Sequence, residues 1–213
     1  MERGSATSLR RVDLTLLHHH RSPVKTTVWG IVFLLFLTYF LPAIQAQEVS
    51  VPDPGLNAAI REALQKPSDP LTVQDLLSLT NLDAASRGVL SLDGLGAASN
   101  LVTLRLDFNP VTDLTLPNGL ISLQSLSLYA NEELTNLTLP TGITNVQSLD
   151  LTGTALTDFS FLNDRTSLRF LGLGYTMLTD FSFLGGLTRL QRLDLNNDHL
   201  TNFALPIGLT NRE

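Results

Sequence analysis

A pattern of leucines that recurs every 22 residues constrains this chain more strongly than any other feature of its sequence. The pattern L-x-x-L-x-L begins in a weaker form at Leu79 and then at Leu101, Leu123, Val146, Leu168 and Leu190, at spacings of 22, 22, 23, 22 and 22 residues. The alternation L-x-L places two side chains on one face of a short strand, and one strand per repeat cannot bury that face alone. The repeats are therefore predicted to stack, with their strands in one parallel sheet and the return segments as the second wall of the core.

The remainder of each repeat follows a fixed order as well. A polar residue comes three positions after the last apolar residue of the pattern. It is followed by an apolar residue, then by the pair Thr-Asp or Thr-Asn, and then by a second apolar residue. The polar residues are Asn109, Asn131, Thr154, Thr176 and Asp198. An Asn amide at such a turn can satisfy backbone groups where the chain leaves the sheet, which predicts a ladder that is weaker in the Thr and Asp copies.

Over about residues 51–211 this order resembles the leucine-rich repeat family, specifically the 22-residue bacterial type found in internalin-like surface proteins. The resemblance implies an α/β repeat solenoid, a right-handed superhelix with a parallel β-sheet on its concave face and a helical N-terminal cap. It also implies a module that presents a surface to a partner rather than an enzyme.

The return segments take two forms, Leu-Pro-x-Gly followed by Leu or Ile, and Phe-x-Phe-Leu. Both are too short for full α-helices and favour 3₁₀ or irregular turns on the convex side. Arg165 breaks the pattern, because the same position holds Leu120, Ile143 and Leu187 in other repeats. An unpaired charge is costly to bury, so we expect Arg165 to point outward and to leave a local defect in the convex wall.

The segment 47–78 is predicted to form a helical cap that covers the first open end of the solenoid, with about six repeats over residues 79–213. Asp53 followed by Pro54 predicts the start of an amphipathic helix, and Lys66-Pro67 ends it. Thr72 with Asp75 three residues later predicts a second, short helix.

Residues 1–46 have the order of a signal peptide: a basic stretch through Lys25, an apolar run from Val28 to Leu41, and a small-residue site with Ala46 before the cut. The mature chain would then begin at Gln47. The alternative is an uncleaved membrane anchor, because the apolar run can be extended to Ile44. Both interpretations export the remaining residues. Three histidines, His18 to His20, lie in this segment and are assigned no role.

Composition limits the function further. The chain has no Cys, which excludes disulfides and thiolate metal sites and, with the helical cap, favours a bacterial exported protein. The chain has 14 basic and 20 acidic residues, and five of the basic and two of the acidic ones lie in residues 1–46. The residues after 46 therefore have nine basic and 18 acidic side chains, a net charge of −9. This negative charge would repel phosphate groups, which disfavours nucleic-acid binding.

The sequence indicates no catalytic residue, no metal site and no cofactor. His199 is the one histidine after residue 46, and it falls in a turn. Asp83, Asp150 and Asp194 share one repeat position, but Arg105 interrupts them, so ordinary solvated strand residues are favoured over a calcium ladder.

The outward face of the strands is mostly small and polar, and a few large side chains differ from that background. These are Arg105, Phe108, Tyr129, Phe170, Tyr175 and Arg192. Aromatic residues and Arg dominate interface hot spots, so we expect these six residues to contact a protein or glycan partner on the concave face. The alternative is that each aromatic ring packs on a neighbour in a structural scaffold without a dedicated ligand.

At the C-terminus, residues 205–211 have the order that precedes a new strand, but Arg212 replaces the expected leucine. This predicts that the apolar edge around Leu193 and Leu195 faces water at the end of the solenoid. Because a terminal repeat is expected to have a polar outer face, this favours a fragment of a longer array over self-association.

Overall fold

The computed structural model describes residues 47–176, 178 and 180–197. Two α-helices come first, α1 (Pro54–Ala63) and α2 (Val73–Ser78). Eight strands of three residues each follow them. They are β1 (Asn81–Asp83), β2 (Thr103–Arg105), β3 (Asp113–Thr115), β4 (Ser125–Ser127), β5 (Asn136–Thr138), β6 (Ser148–Asp150), β7 (Phe170–Gly172) and β8 (Arg192–Asp194).

Six of the strands form one parallel sheet in the order β1-β2-β4-β6-β7-β8. The register shifts by one whole repeat per strand, so that Leu104 pairs with Leu82 on one side and Leu126 on the other. The chain is thus a β-solenoid of about 5 turns, and the predicted fold class is confirmed. The leucines of the repeats form one continuous buried cluster with the apolar residues of the returns.

The returns use two kinds of structure. Short 3₁₀ helices occur at Leu95–Ala97, Ser160–Leu162 and Ser182–Gly186, and the last two lie in the Phe-x-Phe-Leu returns, where the sequence predicted 3₁₀ or irregular turns. The last two begin alike, since Asp158 and Asp180 each accept a hydrogen bond from the amide two residues later, at 2.8 Å. Strands β3 and β5 instead pair with each other in a second parallel sheet, which the sequence did not predict.

Asn109 and Asn131 form the predicted ladder inside the turns. The Asn131 amide donates to the carbonyls of Leu106 at 3.1 Å and Leu128 at 2.7 Å, and its oxygen accepts from the Asn109 N–H at 3.1 Å. Thr154 keeps a single side-chain bond of this kind, to Leu151 O at 2.8 Å. The ladder is therefore weaker in the third full repeat, as expected.

The prediction for Arg165 was wrong. Arg165 is only 9% exposed, and its guanidinium donates to the carbonyls of Ile143 and Leu139, both at 2.6 Å, and to Phe161 O at 3.2 Å. Burial lowers the pKa of this guanidinium, and the neighbouring Asp164 raises it. The charge can stay inside because carbonyl oxygens of two adjacent returns replace the water that it loses.

The two helices that the sequence predicted before the repeats are present. Asp53 caps α1 through a bond from Leu56 N at 2.8 Å, and its second oxygen accepts from the amides of Leu90 at 2.8 Å and Ser91 at 3.1 Å. One buried carboxylate thus joins the cap to the first repeat. Thr72 and Asp75 form the expected capping box at the start of α2.

Several predictions fall on residues outside the described ranges. These are the signal peptide or anchor of residues 1–46, the role of His199, and the order of residues 205–211. Within the described ranges, no helix has the length and apolar character needed to cross a membrane. The division at residues 46 and 78 stays a prediction.

Candidate functional site

The candidate surface has two parts, which we call the sheet face and the turn edge. The sheet face is formed by the first and third residues of the six sheet strands, whose middle residues point into the core. The turn edge is formed by the residues directly after those strands. Neighbouring strands lie about 4.8 Å apart, so equivalent residues of consecutive repeats form columns with that spacing.

Arg105 on the sheet face is held by two carboxylates, one on the neighbouring strand β1 and one in the turn after its own strand β2. Its Nε donates to Asp107 at 2.6 Å and its Nη1 to Asp83 at 3.2 Å. Asp107 and then Asp83 raise the pKa of the guanidinium, while the Ala85 amide and Arg105 hold the pKa of Asp83 below its usual value. Arg105 is thereby fixed in place, and its charge is largely compensated.

Phe170 and Arg192 form the second cluster of the sheet face. They are register partners on β7 and β8, and the Arg192 guanidinium lies 5.4 Å from the centre of the Phe170 ring. The equivalent residues on β4 and β6 are Ser125 and Ser148. A cation–π pair on a face of small hydroxyl side chains is a distinct feature that a partner could contact.

Asp150 and Asp194 act locally in the turns. Each accepts a hydrogen bond at 3.0 Å from the amide two residues later, at Thr152 and Asn196 respectively. Asp83 makes the same bond to Ala85. In the described residues, no group of three His, Cys, Asp or Glu side chains could hold a metal ion.

The turn edge has an unusual backbone that repeats along the solenoid. The third residue after each sheet strand has a positive φ, between 55° and 69°. These equivalent residues are Ser86, Phe108, Ala130, Gly153, Tyr175 and Asn197. The amides of the first five of these residues donate to the next repeat, which extends the sheet ladder into the turn. For example, Ala130 N donates to Thr152 O and Gly153 N to Gly174 O, both at 2.8 Å.

Phe108 and Tyr175 are costly residues for a left-handed position, where glycine or asparagine is better suited. Both are more than half exposed, at 53% and 63%, so burial does not offset that cost. Phe108 packs edge-on against Tyr129 at a ring distance of 5.3 Å. Packing on a neighbouring ring thus explains Phe108 and Tyr129. Among the described residues, no ring contact of this kind involves Tyr175.

A groove of about 520 Å³ lies on the turn edge between Tyr129 and Tyr175. We call it the turn groove. Ala130, Thr152 and Gly153 contribute to its lining, and Glu132 is the charged residue among the described ones that line it. It exists because two consecutive repeats place Ala and Gly where Phe108 and Tyr175 stand in the repeats on either side.

The structure therefore divides the six predicted residues. Phe170 and Arg192 meet on the sheet face, Phe108 and Tyr129 meet on the turn edge, and Tyr129 and Tyr175 line one groove. Arg105 belongs to a separate carboxylate cluster. Sequence analysis missed Asp107, which is buried and also accepts bonds from Ser127 Oγ and Tyr129 N. Comparing the columns that flank the leucines would have identified the small residues of the groove.

Comparison with known proteins agrees with this architecture. Residues 166–207 match the family model for leucine-rich repeats in two copies. The structure is similar to internalin C2 of Listeria monocytogenes, with a TM-score of 0.50 and 27% identity, over 71% of this chain and 77% of that one. A search of curated proteins finds no match.

Two further Listeria monocytogenes structures show the same fold. One is the functional domain of InlJ, with a TM-score of 0.58 and 18% identity over 75% of this chain and 41% of that one. The other is a secreted internalin-like protein, with a TM-score of 0.52 and 19% identity over 74% of this chain and 62% of that one. This chain thus spans less than two thirds of either protein.

The repeats and the parallel sheet give this chain the leucine-rich-repeat fold, and residues 166–207 match the model of that family. Its helices before the repeats, its 22-residue period and its likeness to internalin C2 make it similar to the bacterial internalin-like type. Such proteins are in general protein-interaction modules rather than enzymes.

Proposed function

We propose that this chain is an exported binding module that recognises a protein or glycan partner through the sheet face, with the turn edge as its rim. The observation that carries the proposal is the Phe170–Arg192 pair, because the equivalent residues on the neighbouring strands β4 and β6 are serines. An aromatic ring and an Arg on a rigid backbone provide binding area at low conformational cost, and such residues form most interface hot spots.

The rigidity of the surface supports this proposal. Backbone hydrogen bonds join consecutive repeats through the strands and the turns, and Asn109 and Asn131 fix those turns from inside. A surface held in this way is ordered before a partner binds, which reduces the entropy lost on binding.

The sheet face can be tested with serine substitutions, because serine is the residue at the equivalent positions of β4 and β6. We expect Phe170→Ser combined with Arg192→Ser to weaken binding by about 2 kcal/mol or more, with an unchanged circular dichroism spectrum. The measurement is retention of envelope or host-surface components on the immobilised protein, followed by titration of the retained partner.

Asn118→Ala is the matched control, since Asn118 is exposed in a return segment away from the strands. It should retain the partner as the wild type does. Equal losses from both changes would contradict the assignment of the sheet face. Retention of nothing above background by the wild type would favour a structural scaffold.

Export is tested on the N-terminal segment. If residues 1–46 are a signal peptide, N-terminal sequencing of the exported protein should begin at Gln47. An intact Met1 on membrane-bound protein would establish an anchor instead. Recovery from the cytoplasmic fraction alone would contradict export.

A further inference from the structure

We propose that the turn groove is a separate binding site for a basic, proline-rich peptide segment in the polyproline II conformation. It goes beyond the proposed role of the sheet face, because it assigns a different surface and a different kind of ligand.

The spacing of the two repeats that carry the tyrosines matches such a ligand. Tyr129 follows β4 and Tyr175 follows β7, and β6 lies between these strands in the sheet. Two strand spacings of about 4.8 Å separate the two repeats by about 9.6 Å. A polyproline II helix advances about 3.1 Å per residue and about 9.3 Å per turn. Residues three apart in the ligand would therefore lie against these two repeats, one against each, with Tyr129 and Tyr175 as the walls on either side.

The groove lining favours a ligand that needs few backbone hydrogen bonds. The amides of Ala130, Thr152 and Gly153 already donate to Thr152 O, Asp150 Oδ1 and Gly174 O, at 2.8, 3.0 and 2.8 Å. A peptide that added as a β-strand would need free donors of this kind. Proline has no N–H to satisfy, and aromatic grooves bind proline-rich segments through ring contacts.

The negative charge near the groove favours a ligand with basic residues. Glu132 lines the groove, and its neighbour Glu133 is exposed as well. The chain after residue 46 has a net charge of −9, as nine basic and 18 acidic residues remain there. An Arg or Lys beside the prolines would be attracted to this rim, and an acidic peptide would be repelled.

The cost of the wall residues supports a ligand site. Tyr175 is 63% exposed in a left-handed backbone conformation that disfavours large side chains. Gly153 takes the same turn position one repeat earlier and has no side chain there, so a Cβ at this position would only touch Ala130, at 3.4 Å. A large ring next to an empty position gives a shape that neither residue would produce alone.

The test uses the full chain and a fluorescent decapeptide of eight prolines with an arginine at each end. Binding is followed by fluorescence anisotropy. We expect saturable binding that weakens about tenfold or more in Gly153→Phe, because the new ring occupies the groove. Phe108 has this side chain at the same turn position, which shows that the turn accommodates it.

Ser86→Phe is the matched control, since it adds the same ring at the equivalent turn position three repeats away. It should bind the peptide as the wild type does. Tyr175→Ala removes a wall at an exposed position and should also weaken binding about tenfold, so it tests the site even if Gly153→Phe does not fold.

Two further peptides decide what the groove recognises. Replacing the prolines by glycine and serine should abolish binding, and so should replacing both arginines by glutamate. Equal binding of the glycine-serine peptide would reduce the interaction to charge alone and overturn the proposal. Failure of the wild type to bind the proline peptide would overturn it too, and would leave a glycan or a folded protein as the occupant.

The Phe170→Ser, Arg192→Ser variant separates this site from the sheet face. It should bind the peptide as the wild type does even if it loses the partner of the sheet face. A parallel loss of both activities would show one continuous site and contradict the assignment of a separate groove.

Discussion

Replacing Arg165 with alanine is expected to lower the free energy of unfolding by about 4 kcal/mol. The change removes the donors to Ile143 O, Leu139 O and Phe161 O and the packing of a side chain that is only 9% exposed. Carbonyl groups left without partners in the interior cost free energy, and the cavity adds to that cost. Urea unfolding followed by circular dichroism measures the difference.

Arg165→Leu is the matched control, because leucine or isoleucine occupies this position at Leu120, Ile143 and Leu187. It restores apolar volume but no donors, so its loss should be smaller than that of the alanine variant. A leucine variant at least as stable as the wild type would show that the carbonyl contacts give no net stabilisation, as is known for some buried charges.

Replacing Asn131 with alanine is expected to lower the free energy of unfolding by about 3 kcal/mol. Asn131 is fully buried, and its side chain bonds to Leu106 O, Leu128 O and Asn109 N. The variant leaves the Asn109 amide without this acceptor inside the turn, and neighbouring repeats lose their shared bond. Amide exchange around residues 106–131 should accelerate together with the loss in urea unfolding.

Asn131→Thr is the control for this position, since Thr154 is its natural equivalent and bonds a carbonyl of its own repeat, Leu151 O. Threonine keeps the local bond but does not bridge repeats, so we expect about half the loss. Equal stability of the threonine variant and the wild type would contradict a role of the ladder in coupling the repeats.

The sequence predicted the solenoid well because its main signal is periodic. Each apolar position recurs in register, and a strand that buries one face must find the same face in the next repeat. Asp53 and Thr72 were predictable for a related reason, since caps use side chains within three residues of the helix start. The pairing of β3 with β5 was missed, because the residues in these strands read equally well as irregular turn.

The candidate site was predicted only as a set of residue types. Phe170 and Arg192 were identified as large side chains on a polar face, but their contact depends on the register of β7 and β8. Arg105 was identified in the same way, although Asp83 and Asp107 compensate its charge. Residue type indicates what a surface can bind, while the neighbours in adjacent repeats decide whether the side chain is available.

The sequence by itself determined which side chains enter the core of this protein, because burial follows a period that the leucines repeat. Tertiary structure alone decided the fate of residues whose partners lie one repeat away. Arg165 is buried because carbonyls of Leu139 and Ile143 face it across the returns. The turn groove is open because Ala130 and Gly153 stack between Tyr129 and Tyr175. Both depend on contacts between residues about 22 positions apart, and a local pattern contains no information on the shape that such neighbours form together.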